Sequence, residues 1–370
     1  MRFIIPLIVV SVLILTFSNN SLTQNDDKFA VVLGEKNWNE RKEAKPNNCL
    51  ALTIRLDGEG NYYPNIFISD ENMKKSDGKL SIWYDKNPAE FKSLGDKYNI
   101  NTDSLSLNYL NNSIEQRFTK LIDSLSIDKQ IVFLIHGYRK QMYDQKDNVL
   151  STVNNDSVET KLGQNKLFVE VYWDSKYITK FKSIIGKRGF KLMETSATAN
   201  AKNVGIQLRS LVSSMKNPEI AIITHSLGAI VGNKLTFAYD SNSNLMEDKL
   251  IKIAYLGPAI GHESFKKSAL RGKANYDLKT CIAYNEDDFV LQKEFGKFGI
   301  YVDSDATTYG NTSLGCNYNN DIDKLLNMYL EKMPNENAPV IVNMSGEKIH
   351  HFPNYAGHTN FTKVYDFLFE

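Results

Sequence analysis

Glu219-Ile-Ala-Ile-Ile-Thr-His-Ser-Leu-Gly228 sets the architecture of this chain. Ile220–Ile223 reads as a short buried strand. Beyond Ser226 the apolar residues Ala229, Ile230, Leu235 and Phe237, with Val231 and Gly232 between them, read as a helix. A strand that runs into a helix through Thr-His-Ser-Leu-Gly holds Ser226 at the apex of a sharp turn. There its hydroxyl stands above the sheet and the next backbone N–H points the same way. The helix start also favours negative charge at that point. A serine that merely caps the helix is the plainer alternative.

Outward from this stretch the pattern is regular. Ile131–Ile135, Leu167–Trp173, Leu250–Leu256, Thr280–Tyr284 and Val340–Val342 are apolar strand candidates, most of them separated by helical segments. Glu194–Met215 carries Val204, Leu208, Leu211, Val212 and Met215 on one side, and Ile114–Leu125 has a similar face. Such alternation predicts an α/β fold, a mainly parallel sheet with helices on both faces. Upstream, Leu50–Leu56 and Tyr62–Ser69 around Asp57-Gly-Glu-Gly read as an N-terminal β-hairpin elaboration. Phe29–Leu33 and Leu80–Tyr84 read as further short strands, and Ala89–Tyr98 as a helix.

Composition narrows the function classes. The chain has 370 residues, with 44 basic against 43 acidic side chains, so no net field favours nucleic acid. Arg2 followed by the apolar run Phe3–Phe17 and a polar stretch reads as a signal peptide over residues 1–23, with cleavage after Thr23 or Ser18. An uncleaved membrane anchor is the alternative. Residues 24–48 form a polar N-terminal segment, and 49–370 read as one domain whose motif-bearing core spans 130–370. Cys49, Cys281 and Cys316 cannot all pair and have no metal-ligand spacing. A Cys49–Cys316 bridge is the one pairing considered.

Three further motifs accompany Ser226. Ile131-Val-Phe-Leu-Ile-His-Gly-Tyr138 is a strand ending in His-Gly, where the backbone N–H of Tyr138, with that of Leu227, would form an oxyanion hole. His136 itself is expected to orient the loop. In Cys281-Ile-Ala-Tyr-Asn-Glu-Asp-Asp-Phe-Val-Leu291 a strand ends in an acidic turn, and Asp288, in preference to Asp287, is the carboxylate that would hold an imidazole. In Asn354-Tyr-Ala-Gly-His-Thr-Asn-Phe361 the expected base is His358, on a loop before the helix-like Phe361–Phe369. His350 and His351 are the fallback. A zinc site on these three histidines has no carboxylate or cysteine at useful spacing beside it. The chain order is thus Ser226, Asp288, His358.

These residues resemble the α/β-hydrolase fold serine hydrolases, and are similar in particular to a bacterial α/β-hydrolase family described only as of unknown function. The resemblance lies in Phe-Leu-Ile-His-Gly-Tyr, Val171-Tyr-Trp-Asp-Ser175, Thr-His-Ser-Leu-Gly, Tyr255-Leu-Gly-Pro-Ala259 and Gly-His-Thr-Asn-Phe. It implies an esterase- or lipase-like enzyme with nucleophile Ser226, acid Asp288, base His358 and oxyanion donors Tyr138 and Leu227. It implies no metal and no organic cofactor. Thr224 departs from the wider pattern, because glycine is usual there and a side chain needs room in a tight turn. The expected activity is hydrolysis of a small-molecule or lipid-like carboxylic ester, with amide or thioester cleavage and acyl transfer less favoured. A catalytically silent ligand- or partner-binding domain is the rival. Tyr309–Asn320 and Trp173-Asp174-Ser175 are candidate acyl-pocket walls. Substrate chain length and oligomeric state are not legible.

Overall fold

The computed structural model describes residues 31–33, 49–63, 76, 78–97, 106–137, 158–159, 161–175, 186–237, 248–271, 277–288, 290–291, 313–317, 320–332, 338–346 and 350–370. The signal-peptide reading over residues 1–23 lies outside them. Eight strands form one sheet: β1 (Val31–Leu33), β2 (Leu50–Leu56), β3 (Gln130–Ile135), β4 (Lys166–Trp173), β5 (Glu219–His225), β6 (Leu250–Leu256), β7 (Asp277–Tyr284) and β8 (Val340–Asn343). Their spatial order is β1-β2-β4-β3-β5-β6-β7-β8. Only β1 runs antiparallel to its neighbour, and every other pairing is parallel.

Parallel strands need helical crossovers, and these bury both faces of the sheet. The register of side chains shows it directly. On β5, Ile220 and Ile222 join one core while Ala221 and Ile223 join the other. The first core is filled by α3 (Leu107–Leu125), α4 (Gly186–Ser214), α5 (Gly228–Thr236), α6 (His262–Arg271) and α7 (Asp321–Lys332), together with the N-terminal α1 (Leu80–Lys86) and α2 (Pro88–Lys97). The second core is covered by α8 (Phe352–Gly357) and α9 (Phe361–Phe369) with Val158 and Leu162. Lys166 at the start of β4 lays its ammonium 4.1 Å from the Phe369 ring centroid, tying α9 to the sheet.

The expected strands of the core are present with their ends moved by up to three residues, and β1 falls within Phe29–Leu33. Leu80–Tyr84 is a correction: it is the start of helix α1. Leu80, Trp83 and Tyr84 are its buried residues, an i, i+3, i+4 spacing that suits a helix face and not a strand. Of the expected second hairpin strand, Tyr62 makes one antiparallel bridge to Leu56, and residues 64–69 lie outside the described residues. All three cysteines are buried and none is in a disulfide, so the Cys49–Cys316 bridge is not formed.

The loop after β2 is built around Asp57. Its fully buried carboxylate accepts the N–H groups of Glu59 (2.9 Å), Asn61 (2.8 Å) and Leu80 (2.9 Å), and the Asn61 side-chain amide (3.0 Å). Burial pushes this carboxyl up to about 6, while the four donors pull the other way. Asp57 therefore joins the end of β2 to the start of α1. Asp57→Ala would strand several donors in the interior, at about 1–3 kcal/mol each. We expect a loss of at least about 3 kcal/mol, read as a fall in the urea midpoint. An unchanged midpoint would contradict this account of the loop.

Candidate active site

Strand order reverses around β3. The chain passes from β3 to β4 on one side, then crosses to β5 on the other. In open parallel sheets the crevice outside the strand C-termini at such a point is where ligands bind. Ser226 stands there, directly after β5. Its φ is 51°, a left-handed conformation that is uncommon for a residue with a side chain. The turn is pinned on several sides. The Ser226 N–H donates to Leu256 O (3.1 Å), and its carbonyl accepts from Ala229 N (3.1 Å) and Ala259 N (3.0 Å). α5 starts two residues on and is buried almost throughout.

Space for this turn comes from small residues. A Cβ on Gly137 would sit 2.8 Å from Ser226 Cβ, and one on Gly228 would sit 2.6 Å from the His136 carbonyl oxygen. The end of β3 and the start of α5 thus pack backbone to backbone. Thr224 finds its room in the same way. Its methyl occupies the position where a side chain on Gly232 would begin, 2.7 Å from such a Cβ. The glycine missing from the strand is supplied from the helix.

Two groups converge on Ser226. The His350 imidazole places Nε2 3.0 Å from Ser226 Oγ and Nδ1 2.7 Å from Asp288 Oδ2. With Nδ1–H donating to the carboxylate, Nε2 is left to accept the serine proton. Asp288 is fully buried and its other oxygen accepts the N–H groups of Val290 (3.0 Å) and Leu291 (3.1 Å). Asp287 instead accepts from the Gly346 N–H, turned away toward the next loop.

The histidine in contact with the serine is therefore not His358. His358 caps the end of α8, and its Nδ1 accepts the Asn360 N–H at 3.1 Å, which joins α8 to α9. His351 is exposed beside the site. The missed signal was Pro353. Proline is favoured in the first helical turn, so it places a helix start near Phe352 and leaves His350, not His358, on the loop that follows β8.

Two more imidazoles flank the site. His136 accepts the Trp173 backbone N–H at Nε2 (3.1 Å), so its proton lies on Nδ1, which donates to Gly137 O (2.6 Å). Its ring stacks on Trp173, centroids 5.7 Å apart. This is loop-orienting work, as expected. Trp173 is fully buried and so forms no open pocket wall. His225 donates from Nε2 to the His350 carbonyl (2.6 Å) and stacks on Phe352. Burial, and next the neighbouring His350, hold His225 well below the ordinary histidine value, so it stays neutral.

Leu227 begins the turn into α5, and among the described residues its backbone N–H meets no acceptor. Tyr138, the other expected oxyanion donor, and residues 309–312 of the expected pocket wall lie outside the described residues. The described residues hold no group of three or more His, Cys, Asp or Glu arranged for a metal ion.

Compared with protein-family models and with curated proteins, the chain matches none.

Because Gly137 abuts the serine, Gly137→Ala must displace Ser226 or the β3 end. A misplacement near 1 Å costs on the order of 10² in rate. We expect phosphonylation of Ser226 by a fluorophosphonate probe to slow by about that factor with circular dichroism unchanged. Wild-type reactivity in Gly137→Ala would contradict the close approach.

Proposed function

We propose that this chain is an exported serine hydrolase of the α/β-hydrolase fold that cleaves a carboxylic ester. The observation that carries the reading is one continuous line of hydrogen bonds, from Ser226 Oγ through His350 to Asp288, at 3.0 and 2.7 Å. An eight-stranded, mostly parallel sheet flanked by helices is compatible with that fold. Export rests on the residue 1–23 signal pattern.

In this mechanism Ser226 Oγ attacks the ester carbonyl carbon while His350 Nε2 takes its proton. Asp288 keeps the imidazole proton on Nδ1 and stabilises the imidazolium that forms. The oxyanion is held by the Leu227 N–H, with the expected second donor at Tyr138, each such donor being worth about 10²–10³ in rate. The C–O bond to the alcohol breaks as His350 returns the proton to it. Water then repeats the sequence on the acyl-enzyme and frees Ser226.

Labelling purified protein with a fluorophosphonate probe tests this reading, followed by a panel of short- and long-chain esters. Ser226→Ala and His350→Ala should abolish labelling and lower ester turnover by on the order of 10⁶ in kcat. His358→Ala should stay within about threefold of wild type, because its ring only joins two helices. Absence of labelling in folded wild-type protein would overturn the proposal in favour of a silent binding domain. Loss of labelling in His358→Ala but not in His350→Ala would overturn the assignment of the base.

A further inference from the structure

We infer that Tyr355 is a positioning residue for the acid of the site, tuning how strongly Asp288 holds the proton on His350. This rests on the Ser226–His350–Asp288 reading above. The Tyr355 hydroxyl donates to Asp288 Oδ2 at 2.9 Å, the same oxygen that His350 Nδ1 approaches at 2.7 Å. Asp288 Oδ1 is taken by two backbone N–H groups. A carboxylate offers about four lone-pair sites, so Tyr355 fills the last one and leaves no rotation open to the acid.

The backbone is shaped around this hydroxyl. Gly257 follows β6 with φ 49°, and a Cβ there would collide with the Tyr355 hydroxyl. Tyr355 itself is fully buried, one turn of α8 beyond His350. Burial first, and Asp288 next, push its phenol well above the ordinary tyrosine value, so it remains a donor throughout the working pH range. A hydroxyl held only for packing needs neither a buried carboxylate nor a left-handed glycine opposite it.

Two donors on one oxygen compete for its charge. The phenol draws on charge that would otherwise go to the bond from His350 Nδ1, so it sets how tightly Asp288 holds the imidazole. Among the described residues, the other ionisable groups near the imidazole are these. His225 lies 5.1 Å away, centroid to centroid, and is neutral. His351 adjoins it in sequence and is exposed. Cys316 lies near Tyr355, with its thiol donating to Leu291 O. His136 is occupied by Gly137 and Trp173. Glu286 and Asp287 face Asn317 and Gly346.

The test is the pH profile of the phosphonylation rate for wild type and Tyr355→Phe. Removing the hydroxyl should move the acid limb to higher pH by about half a unit or more, with a lower plateau rate. The limb then moves in the opposite direction when 3-fluorotyrosine, a stronger donor of nearly the same shape, is installed at position 355. An acid limb unmoved in both variants, each folded and labelled, overturns the inference and reduces Tyr355 to packing. Should Tyr355→Phe not fold, the fluorotyrosine variant alone decides it: a limb moved to lower pH supports the inference and an unmoved limb overturns it. No labelling of the wild type at all would instead remove the underlying triad reading, so the two failures are distinct.

Discussion

The site depends on one backbone angle. A serine at φ 51° costs on the order of 1–3 kcal/mol relative to an unstrained residue, and it persists only where the surroundings leave it no other conformation. Here β5 is paired on both sides, by β3 and β6, up to the residue before or at the turn. The serine's own N–H is engaged by the last residue of β6, and its C=O by the segment after β6 and by α5. Strain is thus held by the stiffest part of the sheet. What it yields is a hydroxyl at the strand ends within 3.0 Å of the His350 imidazole. Every glycine contact near the turn follows from the close approach this conformation requires.

The polar groups below the hydroxyl are buried with their partners. Asp288 would be costly at zero exposure without its four hydrogen bonds. The three histidines are sorted by what their ring nitrogens meet. His136 has a backbone N–H at one nitrogen and a carbonyl at the other. His225 has a carbonyl at Nε2 and an aromatic face against it. Burial, and next the neighbouring His350, hold His225 neutral. Of these three, His350 is the one that faces a carboxylate on one side and a hydroxyl on the other.

The fold and the place of Ser226 in its turn were legible because both rest on short-range patterns. Strands buried on both faces read as unbroken apolar runs, and Ile220–Ile223 followed by Ser226 reports the strand, the turn and the helix within ten residues. Asp288 was legible for the same reason, as the carboxylate closing a strand. The base was not. Gly-His-Thr-Asn-Phe resembles a loop before a terminal helix, but a six-residue helix, α8, ends at Gly357 and makes His358 its cap. Helices this short carry little periodicity, and only Pro353 marks the start. Leu80–Tyr84 failed similarly, because two aromatic residues outweighed an i, i+3, i+4 spacing. Tyr355 could not be found from sequence, since its link to Gly257 exists only once β6 and α8 are packed together.

The hydrogen bond between Ser226 and His350 spans 124 positions of the chain, and that between His350 and Asp288 spans 62. Neither pair can be sampled without closing a long loop. The acid and serine are anchored by the central sheet, while the imidazole belongs to the thin layer of α8 and α9 over its second face. Local opening of so small a layer would cost less than melting the sheet. The contact between Ser226 and His350 is therefore a property of the layer over the second core, and the sheet can be intact while the two side chains are apart.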